Sequence, residues 1–400
     1  MACNNTSYIA YLTNSTEAQA ELFKHKFLVD NFNHNVPVAM MLNKCITPVW
    51  IVIGIFGNII SAMVWSNPRM RTCNTAAYYL TSLAVADLTF LVLHFIYELE
   101  NPWLLRTLDF DIWCQIFSTA NIAVQYFCVF LVFAFTVERF LSVCHPFKSE
   151  RFGKTRTPRT IFCLLVLSII LSLPQSYFWE IIHVGECQVR VTEISKDSFF
   201  SIYTWCTELS VFGVLPLIVL LLNIAVLLKI RTIGKLKLGK ASNGRHVTDN
   251  SMSALVADAD SHGGKRMNSC TNGGAHANNK GTTVTLLWVS FYLIVTVLPN
   301  TILYALQANI SYGPMPCRIE DMGKDPLWSA YFTFVSVKLM VKEISLSHHV
   351  GNVFIYMATS RRFLGLIIKS FFNQSKHPRS ETRDTSLIRM PQTRAPGDEV

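Results

Sequence analysis

The stretch FAFTVERFLSVCHPF, residues 133–147, places an adjacent glutamate and arginine, Glu138 and Arg139, near the end of a long apolar run. Charged side chains are costly in hydrocarbon, so a pair at this position indicates the edge of a membrane-spanning helix. The rest of the chain agrees with this interpretation. Of its 400 residues 51% are hydrophobic and only 15% are charged, which excludes an ordinary soluble domain.

Seven stretches are long enough to cross about 30 Å of hydrocarbon as helices. They cover residues 46–65, 76–97, 112–137, 160–179, 209–228, 282–306 and 327–360, and five of the seven contain no charged residue. After the seventh, TSRRFLGLIIKSFF (359–372) places its apolar residues on one helical face and predicts an amphipathic helix on the inner leaflet. The sequence therefore predicts an all-α membrane protein, a seven-transmembrane helix bundle with a short amphipathic eighth helix.

Basic residues cluster after the first, third, fifth and seventh spans, so these segments are expected to be cytoplasmic and the N-terminus extracellular. The net charge of +9 follows from this orientation without a nucleic-acid partner. We expect an extracellular tail at 1–45, the transmembrane domain with its eighth helix at 46–372, and a cytoplasmic tail at 373–400. Within the domain, the segment 239–281 is rich in Gly, Ser and Asn and is predicted to be a disordered third cytoplasmic loop.

Glycosylation triplets of the form N-x-S/T agree with that orientation. They begin at Asn4, Asn5, Asn14 and Asn309, all predicted to be outside, which favours a glycoprotein of the plasma membrane. Asn373 heads another triplet on the predicted inside, so chance matches occur and the triplets only support the orientation.

Polar residues inside the spans are the first candidates for function. Asn121 and Gln125 lie one turn apart in the third span, on the helical face that leads to Arg139. Asp87 is the only charged residue of the second span, and Asn58 and Asn352 lie at similar depth in the first and seventh. Such groups avoid lipid, so we expect them to face the interior, where they hold a ligand, an ion or a proton, or only join the helices through hydrogen bonds.

A second set of polar and aromatic residues gathers at the outer ends of the spans. These candidate ligand-binding residues are Tyr97, Glu98, Trp205, Glu208, Tyr304, Gln307, Lys338 and Lys342. The outer loops are acidic and would attract a basic ligand, although an acidic surface is also the simple counterpart of a positive inside. For Lys342 the alternative is an internal salt bridge to loop carboxylates.

The chain has 11 cysteines, and five of them lie on the predicted outside. Cys114 and Cys187 both face an oxidising compartment and could pair, and Cys45 with Cys317 could form a second bridge. Connectivity is not determined by sequence.

A set of short motifs occurs in order along the spans: Gly57-Asn58, LAVAD at 83–87, Cys114, ERF at 138–140, Pro216, Pro299, and Asn352 with Tyr356. Together they resemble the motifs of the rhodopsin-like (class A) G-protein-coupled receptors, and within them the invertebrate neuropeptide receptors for FMRFamide-like and thyrotropin-releasing-hormone-like peptides.

The resemblance implies a role for each of these positions. Glu138 and Arg139, together with Asn352 and Tyr356, would form the switch that meets the G protein. Asp87, Asn58 and Asn352 would form an allosteric sodium pocket, with no other cofactor, and Cys114–Cys187 would be the family disulfide. The implied partners are an extracellular peptide, a heterotrimeric G protein, arrestin, receptor kinases and the lipid bilayer.

The chain also departs from the family pattern. The fourth span has no tryptophan, and Val297, Ile224 and Val353 occupy positions where the family has tryptophan, tyrosine and proline. His348 and His349 precede Asn352, and are either a proton sensor or a packed polar pair.

The favoured function is a receptor for a basic or amidated neuropeptide. A monoamine receptor would have an aspartate where Asn121 stands, and an opsin a lysine where Leu346 stands. The alternatives are a receptor for a non-peptide small molecule, or a small ion carrier or channel that uses Asp87 and Lys342; against the latter stand the odd number of spans and the lack of similar halves. An enzyme is not expected, since paired acids, H-E-x-x-H and serine nucleophile motifs are missing from the sequence.

Overall fold

Apolar runs of about 20 residues form helices because lipid satisfies no backbone hydrogen bonds. The computed structural model describes residues 31–71, 74–100, 107–108, 110–144, 153–182, 186–190, 198–242, 272–307, 310 and 322–372. Its long helices are α1 (Pro37–Ser66), α2 (Ala76–Glu100), α3 (Asp111–Cys144), α4 (Gly153–Ser172), α5 (Phe199–Glu208, continued by Leu209–Val214 and Leu215–Ser242), α6 (Asn272–Gln307) and α7 (Pro326–Thr359). A shorter helix, α8 (Arg361–Phe372), follows.

The helices pack into a closed bundle with α3 at its centre. Helix α3 contacts α2, α4, α5 and α6, while α7 contacts α1, α2 and α6 and so closes the ring. Gly57 lets α1 approach α7 closely, since a Cβ there would lie 2.8 Å from Val353 Cγ1. Valine in place of the family's proline thus takes part in this contact.

Six of the described helices are long and apolar enough to cross a membrane. Helix α7 has the length of α3 but carries Lys338, Lys342 and Glu343 in its outer half. Large apolar side chains on the outside of the bundle are exposed, as Phe56 at 64% and Leu221 at 66% show. The chain is a multi-pass membrane protein, and the predicted helical bundle is confirmed.

The polar residues of the spans face the interior. The exposed fraction of Asp87 and Asn352 is 0%, and that of Asn58 is 2%. Hydrogen bonds lower the cost of burying these groups: Asn352 bonds to Asp87 and Asn58 to the α7 backbone, so the three residues also help to hold the helices in register.

Several helix ends extend beyond the predicted spans. Helix α1 begins at Pro37, within the predicted tail 1–45, and α5 and α6 extend to Ser242 and from Asn272, within the predicted loop 239–281. Residues 243–271, and the tails 1–30 and 373–400, lie outside the described residues. Helix α7 begins after Asp325, whose carboxylate accepts hydrogen bonds from the backbone of Leu327 and Trp328 at 2.8 and 3.2 Å.

Helix α5 contains a π-helical turn at Leu209–Val214, directly after Glu208. Such a turn inserts an extra residue and rotates the residues before it relative to those after it. Apolar periodicity carries no sign of this feature, and the sequence did not predict it.

A short hairpin lies between α4 and α5 and adds two strands to the predicted all-α architecture. Strands β1 (Trp179–Ile182) and β2 (Glu186–Val189) pair antiparallel, with Ile181 opposite Cys187. A disulfide joins Cys187 to Cys114 of α3, with their Cα atoms 5.6 Å apart, so this predicted pairing is confirmed.

Helix α8 is amphipathic, as predicted. Phe363 is fully buried and its ring lies 5.4 Å from that of Trp65 and 5.5 Å from that of Tyr356, whereas Arg361 and Arg362 are exposed. This contact fixes α8 against the predicted cytoplasmic ends of α1 and α7.

Candidate ligand and switch sites

A cavity lies in the outer half of the bundle, and its empty volume of about 580 Å³ includes space that is open to solvent. Four helices contribute to its wall: Gln125, Cys128 and Val129 from α3, Glu208 and Phe212 from α5, Val297, Asn300, Thr301 and Tyr304 from α6, and Ser345, His348 and His349 from α7. Three of the predicted ligand-binding residues, Gln125, Glu208 and Tyr304, therefore share one cavity.

Glu208 is the carboxylate on the wall of this cavity. It precedes the π-helical turn of α5, and one oxygen accepts a hydrogen bond from the Tyr126 hydroxyl at 3.5 Å. Because this bond is long, the carboxylate retains most of its capacity to accept further donors.

The side chains of Gln125, Asn121, Trp205 and Tyr304, all predicted to bind ligand, differ in the contacts that they make. Gln125 Nε2 donates to the backbone oxygen of Asn121 at 3.3 Å, and the buried Asn121 Oδ1 has no hydrogen-bond partner in the described part of the chain. Trp205 and Tyr304 bring α5 and α6 together at the outer end, with ring centroids 6.5 Å apart.

Glu98 and Lys342, both predicted to bind ligand, bind each other. Lys342 Nζ lies 2.6 Å from Glu98 Oε1, which joins α2 to α7. Asn43 of α1 contacts both groups at 3.4 Å, and the ammonium lies 5.8 Å from the centre of the Tyr97 ring. The salt-bridge alternative for Lys342 is therefore realised, with a helix carboxylate in place of a loop carboxylate.

Two further outer contacts complete the link between α7 and its neighbours. Lys338 Nζ donates to Gln307 Oε1 of α6 at 2.8 Å. Glu343, which sequence reasoning did not assign to a site, accepts a hydrogen bond from Thr47 of α1 at 2.7 Å and is buried. Its position next to Lys342, inside an apolar stretch, is the feature of the sequence that could have indicated a buried, hydrogen-bonded carboxylate.

At the centre of the bundle, Asp87 is bonded by residues from two other helices. Asn352 Nδ2 donates to Oδ2 at 2.8 Å, His349 Nδ1 lies 2.8 Å from Oδ1, and Cys128 Sγ lies 3.5 Å from Oδ1. Asn58 bonds elsewhere: its amide donates to the backbone oxygens of Gly54 and His349 at 2.9 and 2.7 Å. Asn58 thus supports the predicted Asp87 cluster through the α7 backbone rather than as a member of it, because its amide is directed to that carbonyl.

The predicted ion pair at the C-terminal end of α3 includes a third residue. Arg139 is buried, and its guanidinium lies 4.0 Å from Glu138, 3.4 Å from Thr75 Oγ1 and 5.4 Å from the centre of the Phe135 ring. The Thr75 hydroxyl also donates to Glu138. Thr75, which precedes α2, therefore bridges the acid and the base.

Hydroxyl contacts join α6 to its neighbours in the same half of the bundle. Thr136 of α3 and Ser290 of α6 lie 3.3 Å apart, and Thr285 and Thr359 link α6 to α7 at 2.8 Å. Tyr356, predicted to be part of the switch, is fully buried beside Trp65, with ring centroids 5.5 Å apart.

The chain matches the family described as 7 transmembrane receptor (rhodopsin family) over residues 57–342. The protein belongs to the rhodopsin family of receptors. Members of this family are receptors and not enzymes.

Curated relatives of this rhodopsin-family chain match over part of their length. The human B1 bradykinin receptor is 28% identical over 207 residues, 50% of this chain and 58% of the relative. The pyrokinin-1 receptor of Drosophila melanogaster is 28% identical over 209 residues, which are 48% of this chain and 47% of the relative. The mouse neurotensin receptor type 1 is 28% identical over 162 residues, which are 38% of this chain and 37% of the relative. The matched regions thus span between 37% and 58% of the length of these relatives.

Some predicted sites of this rhodopsin-family chain lie outside the described residues. They are the glycosylation positions Asn4, Asn5, Asn14 and Asn309, and Cys317 of the second predicted disulfide. Cys45 is exposed on α1. These assignments remain predictions.

Proposed function

We propose that this protein is a plasma-membrane receptor for an extracellular neuropeptide, with its N-terminus outside, that signals through heterotrimeric G proteins. The relatives named for neurotensin, bradykinin and pyrokinin are peptide receptors, and G-protein signalling is implied by the family. The peptide would enter the cavity between α3, α5, α6 and α7, beneath the hairpin that the Cys114–Cys187 disulfide anchors.

Glu208 carries the proposal for the chemistry of the ligand. Its carboxylate lies on the cavity wall and accepts one long hydrogen bond, from Tyr126. A guanidinium or ammonium group on the peptide would supply short, charge-assisted donors in a partly desolvated site. Gln125 and Asn300 on the same wall offer amide groups for the peptide backbone or a terminal amide.

Activation would release the cytoplasmic end of α3. The bonds that hold Arg139, to Thr75 and Glu138, and the contact between Thr136 and Ser290 are each weak enough to break in a two-state transition. Movement of α6 away from α3 would free the Arg139 side chain for the G protein. Arrestin and receptor kinases would act on the Ser- and Thr-containing tail after residue 372.

The sodium ion expected at Asp87 does not fit the donors present there. Sodium is a hard cation that prefers oxygen ligands, yet one carboxylate oxygen faces an imidazole nitrogen and a sulfur, and the other an amide NH₂. We therefore give sodium no part in the proposed mechanism.

A second-messenger assay in cells that express the receptor, against a library of neuropeptides, tests the ligand class. Once a cationic peptide is found, Glu208→Gln should raise its half-maximal concentration by about 10- to 100-fold, since a charge-assisted hydrogen bond is lost. Glu180→Gln on β1, where the carboxylate pairs with Arg190 at 3.5 Å, is the matched control and should change little.

An uncharged analogue of the peptide separates a direct contact from an indirect effect. With citrulline in place of arginine, the wild-type receptor should lose the same potency, and Glu208→Gln should lose little more. Fully additive losses would show that Glu208 does not contact the cation. A library with no active peptide, under confirmed surface expression, would contradict the ligand class itself.

A further inference from the structure

We propose that Asp87, Cys128 and His349 form a binding site for a divalent transition metal with the ligand preferences of zinc. The three residues come from α2, α3 and α7, and one ligand atom of each lies within 4.8 Å of the others. A thiol, an imidazole and a carboxylate are the side chains from which protein zinc sites are built. The proposal does not depend on the peptide ligand.

Two of the three distances between the ligand atoms are close to those of a tetrahedral site, and the third is at most 4.8 Å. Zinc bonds of about 2.0–2.3 Å place neighbouring ligand atoms about 3.3–3.8 Å apart. Cys128 Sγ and Asp87 Oδ1 already lie 3.5 Å apart. His349 Nδ1 lies 2.8 Å from the same oxygen and would have to withdraw by less than about 1 Å, within reach of a small ring rotation.

The charges balance in this location. Asp87 is fully buried and Cys128 is 1% exposed, so an uncompensated charge there would be costly. One carboxylate and one thiolate neutralise a divalent cation, with neutral imidazole as the third ligand. The thiol proton leaves when the Zn–S bond forms, and water in the adjoining cavity would accept it.

A second, independent observation lies beside the cluster. His348 is 1% exposed, and neither of its ring nitrogens has a hydrogen-bond partner within the described residues. It lines the same cavity as Cys128 and His349, and its ring centroid lies 5.1 Å from that of His349. A buried imidazole without partners is costly unless it meets a ligand or water, and it could complete or support the coordination shell.

The cavity also gives the metal a route inward. It extends from Glu208 and Tyr304, towards the outer end of the bundle, to Cys128 and His349. An ion bound there would tie α2, α3 and α7 together at mid-membrane.

Cobalt binding to the purified full-length receptor in lipid nanodiscs tests the site. After treatment with a chelator, Co²⁺ should produce a thiolate-to-cobalt charge-transfer band that Zn²⁺ abolishes. Cys128→Ser should remove the band and lower Zn²⁺ affinity at least about tenfold. Cys163→Ser, at an exposed cysteine of α4, is the matched control and should leave the band unchanged.

Thermal melting provides a second readout. Zn²⁺ should raise the melting temperature of wild type and Cys163→Ser but not of Cys128→Ser or His349→Gln. If His349→Gln fails to fold, the comparison of wild type with the nearly isosteric Cys128→Ser still tests whether the metal binds at this site. An unchanged cobalt band in Cys128→Ser, no thiolate band in wild type, or stabilisation by Na⁺ but not by Zn²⁺ would each overturn the proposal.

Discussion

The two halves of the bundle, predicted to be the outer and the cytoplasmic half, each bury a charge, but they hold it in different ways. In the outer half, Lys342 and Glu98 lie on different helices with 2.6 Å between nitrogen and oxygen. In the cytoplasmic half, Arg139 and Glu138 are neighbours on one helix, 4.0 Å apart, and Thr75 bridges them.

The difference indicates where the molecule is fixed and where it can switch. A short pair between helices links their separation directly to a buried charge, so separating α2 from α7 is costly. The longer pair between Glu138 and Arg139 lies within α3 and so does not by itself restrain the neighbouring helices. The Thr75 hydroxyl adds a hydrogen bond from outside α3, and such a bond is worth only about 1 kcal/mol. We therefore expect outer substitutions to change stability and cytoplasmic ones to change basal signalling.

The largest effect is expected from Lys342→Ala. It leaves the Glu98 carboxylate, 6% exposed, without its cation, and should lower the free energy of unfolding by about 2–3 kcal/mol. Chemical denaturation of the purified receptor measures this loss. Glu98→Gln in the same background should recover part of it, because no buried charge then remains unpaired.

Lys338→Ala is the matched control for the outer pair. Its amine bonds a neutral amide, Gln307, at an exposed site, so its removal should cost less than about 0.5 kcal/mol. If both substitutions lowered the free energy of unfolding equally, the pair between Lys342 and Glu98 would restrain the bundle no more than a surface contact does.

An intermediate effect on stability is expected where α6 and α7 are in close contact. A Cβ at Gly351 would lie 2.4 Å from Tyr292 Cε1, and the Tyr292 hydroxyl is held by Ser347 at 2.7 Å. Gly351→Ala should therefore destabilise the receptor by about 1–3 kcal/mol in the same denaturation assay.

Gly365→Ala in α8 is the control for backbone effects. Apart from the local backbone of α8 and the two neighbouring residues, no atom lies within 4 Å of the added Cβ, so this change should stabilise the receptor by up to about 1 kcal/mol. If Gly351→Ala also stabilised the receptor, the close contact with Tyr292 would not limit the size of the side chain at position 351, contrary to the prediction.

Thr75→Val tests the cytoplasmic half. It removes the hydroxyl that bonds both Glu138 and Arg139, and should raise basal nucleotide exchange on the G protein by about fivefold, equivalent to about 1 kcal/mol. The free energy of unfolding of Thr75→Val should fall by no more than about 1 kcal/mol, less than in Lys342→Ala. Thr81→Val, where the hydroxyl bonds only Ala77 of its own helix, should leave basal exchange unchanged.

The smallest effect is expected from Ser290→Ala, which breaks the contact between α6 and Thr136. Basal exchange should rise by about twofold, since Thr136 keeps its bond to Val132 and the net loss is about 0.5 kcal/mol. Ser336→Ala, whose hydroxyl bonds its own helix at Phe332, serves as the control. A large loss of stability in Ser290→Ala, with no change in basal exchange, would contradict the assignment.

The Cys114–Cys187 disulfide was implied by the family resemblance, whereas sequence patterns alone predicted the spans, the inward-facing polar residues and the eighth helix. They succeeded because each depends on one local property, such as a long apolar run or one costly polar group. They did not predict that Glu98 and Lys342 bind each other, that Thr75 bridges Arg139, or that His349 and Cys128 face Asp87. Each of these depends on the rotation of two or three helices about their axes.

The sequence by itself determined that this chain lies in a membrane and that Asp87, Asn121 and Arg139 avoid lipid, because hydrocarbon penalises a polar group whatever its partner. Only the tertiary structure decided which polar atoms meet. Helix tilt, the π-helical turn of α5 and the close approach of α1 and α7 at Gly57 are set by packing among residues far apart in sequence, and they move side chains by the few ångströms that separate a contact from none.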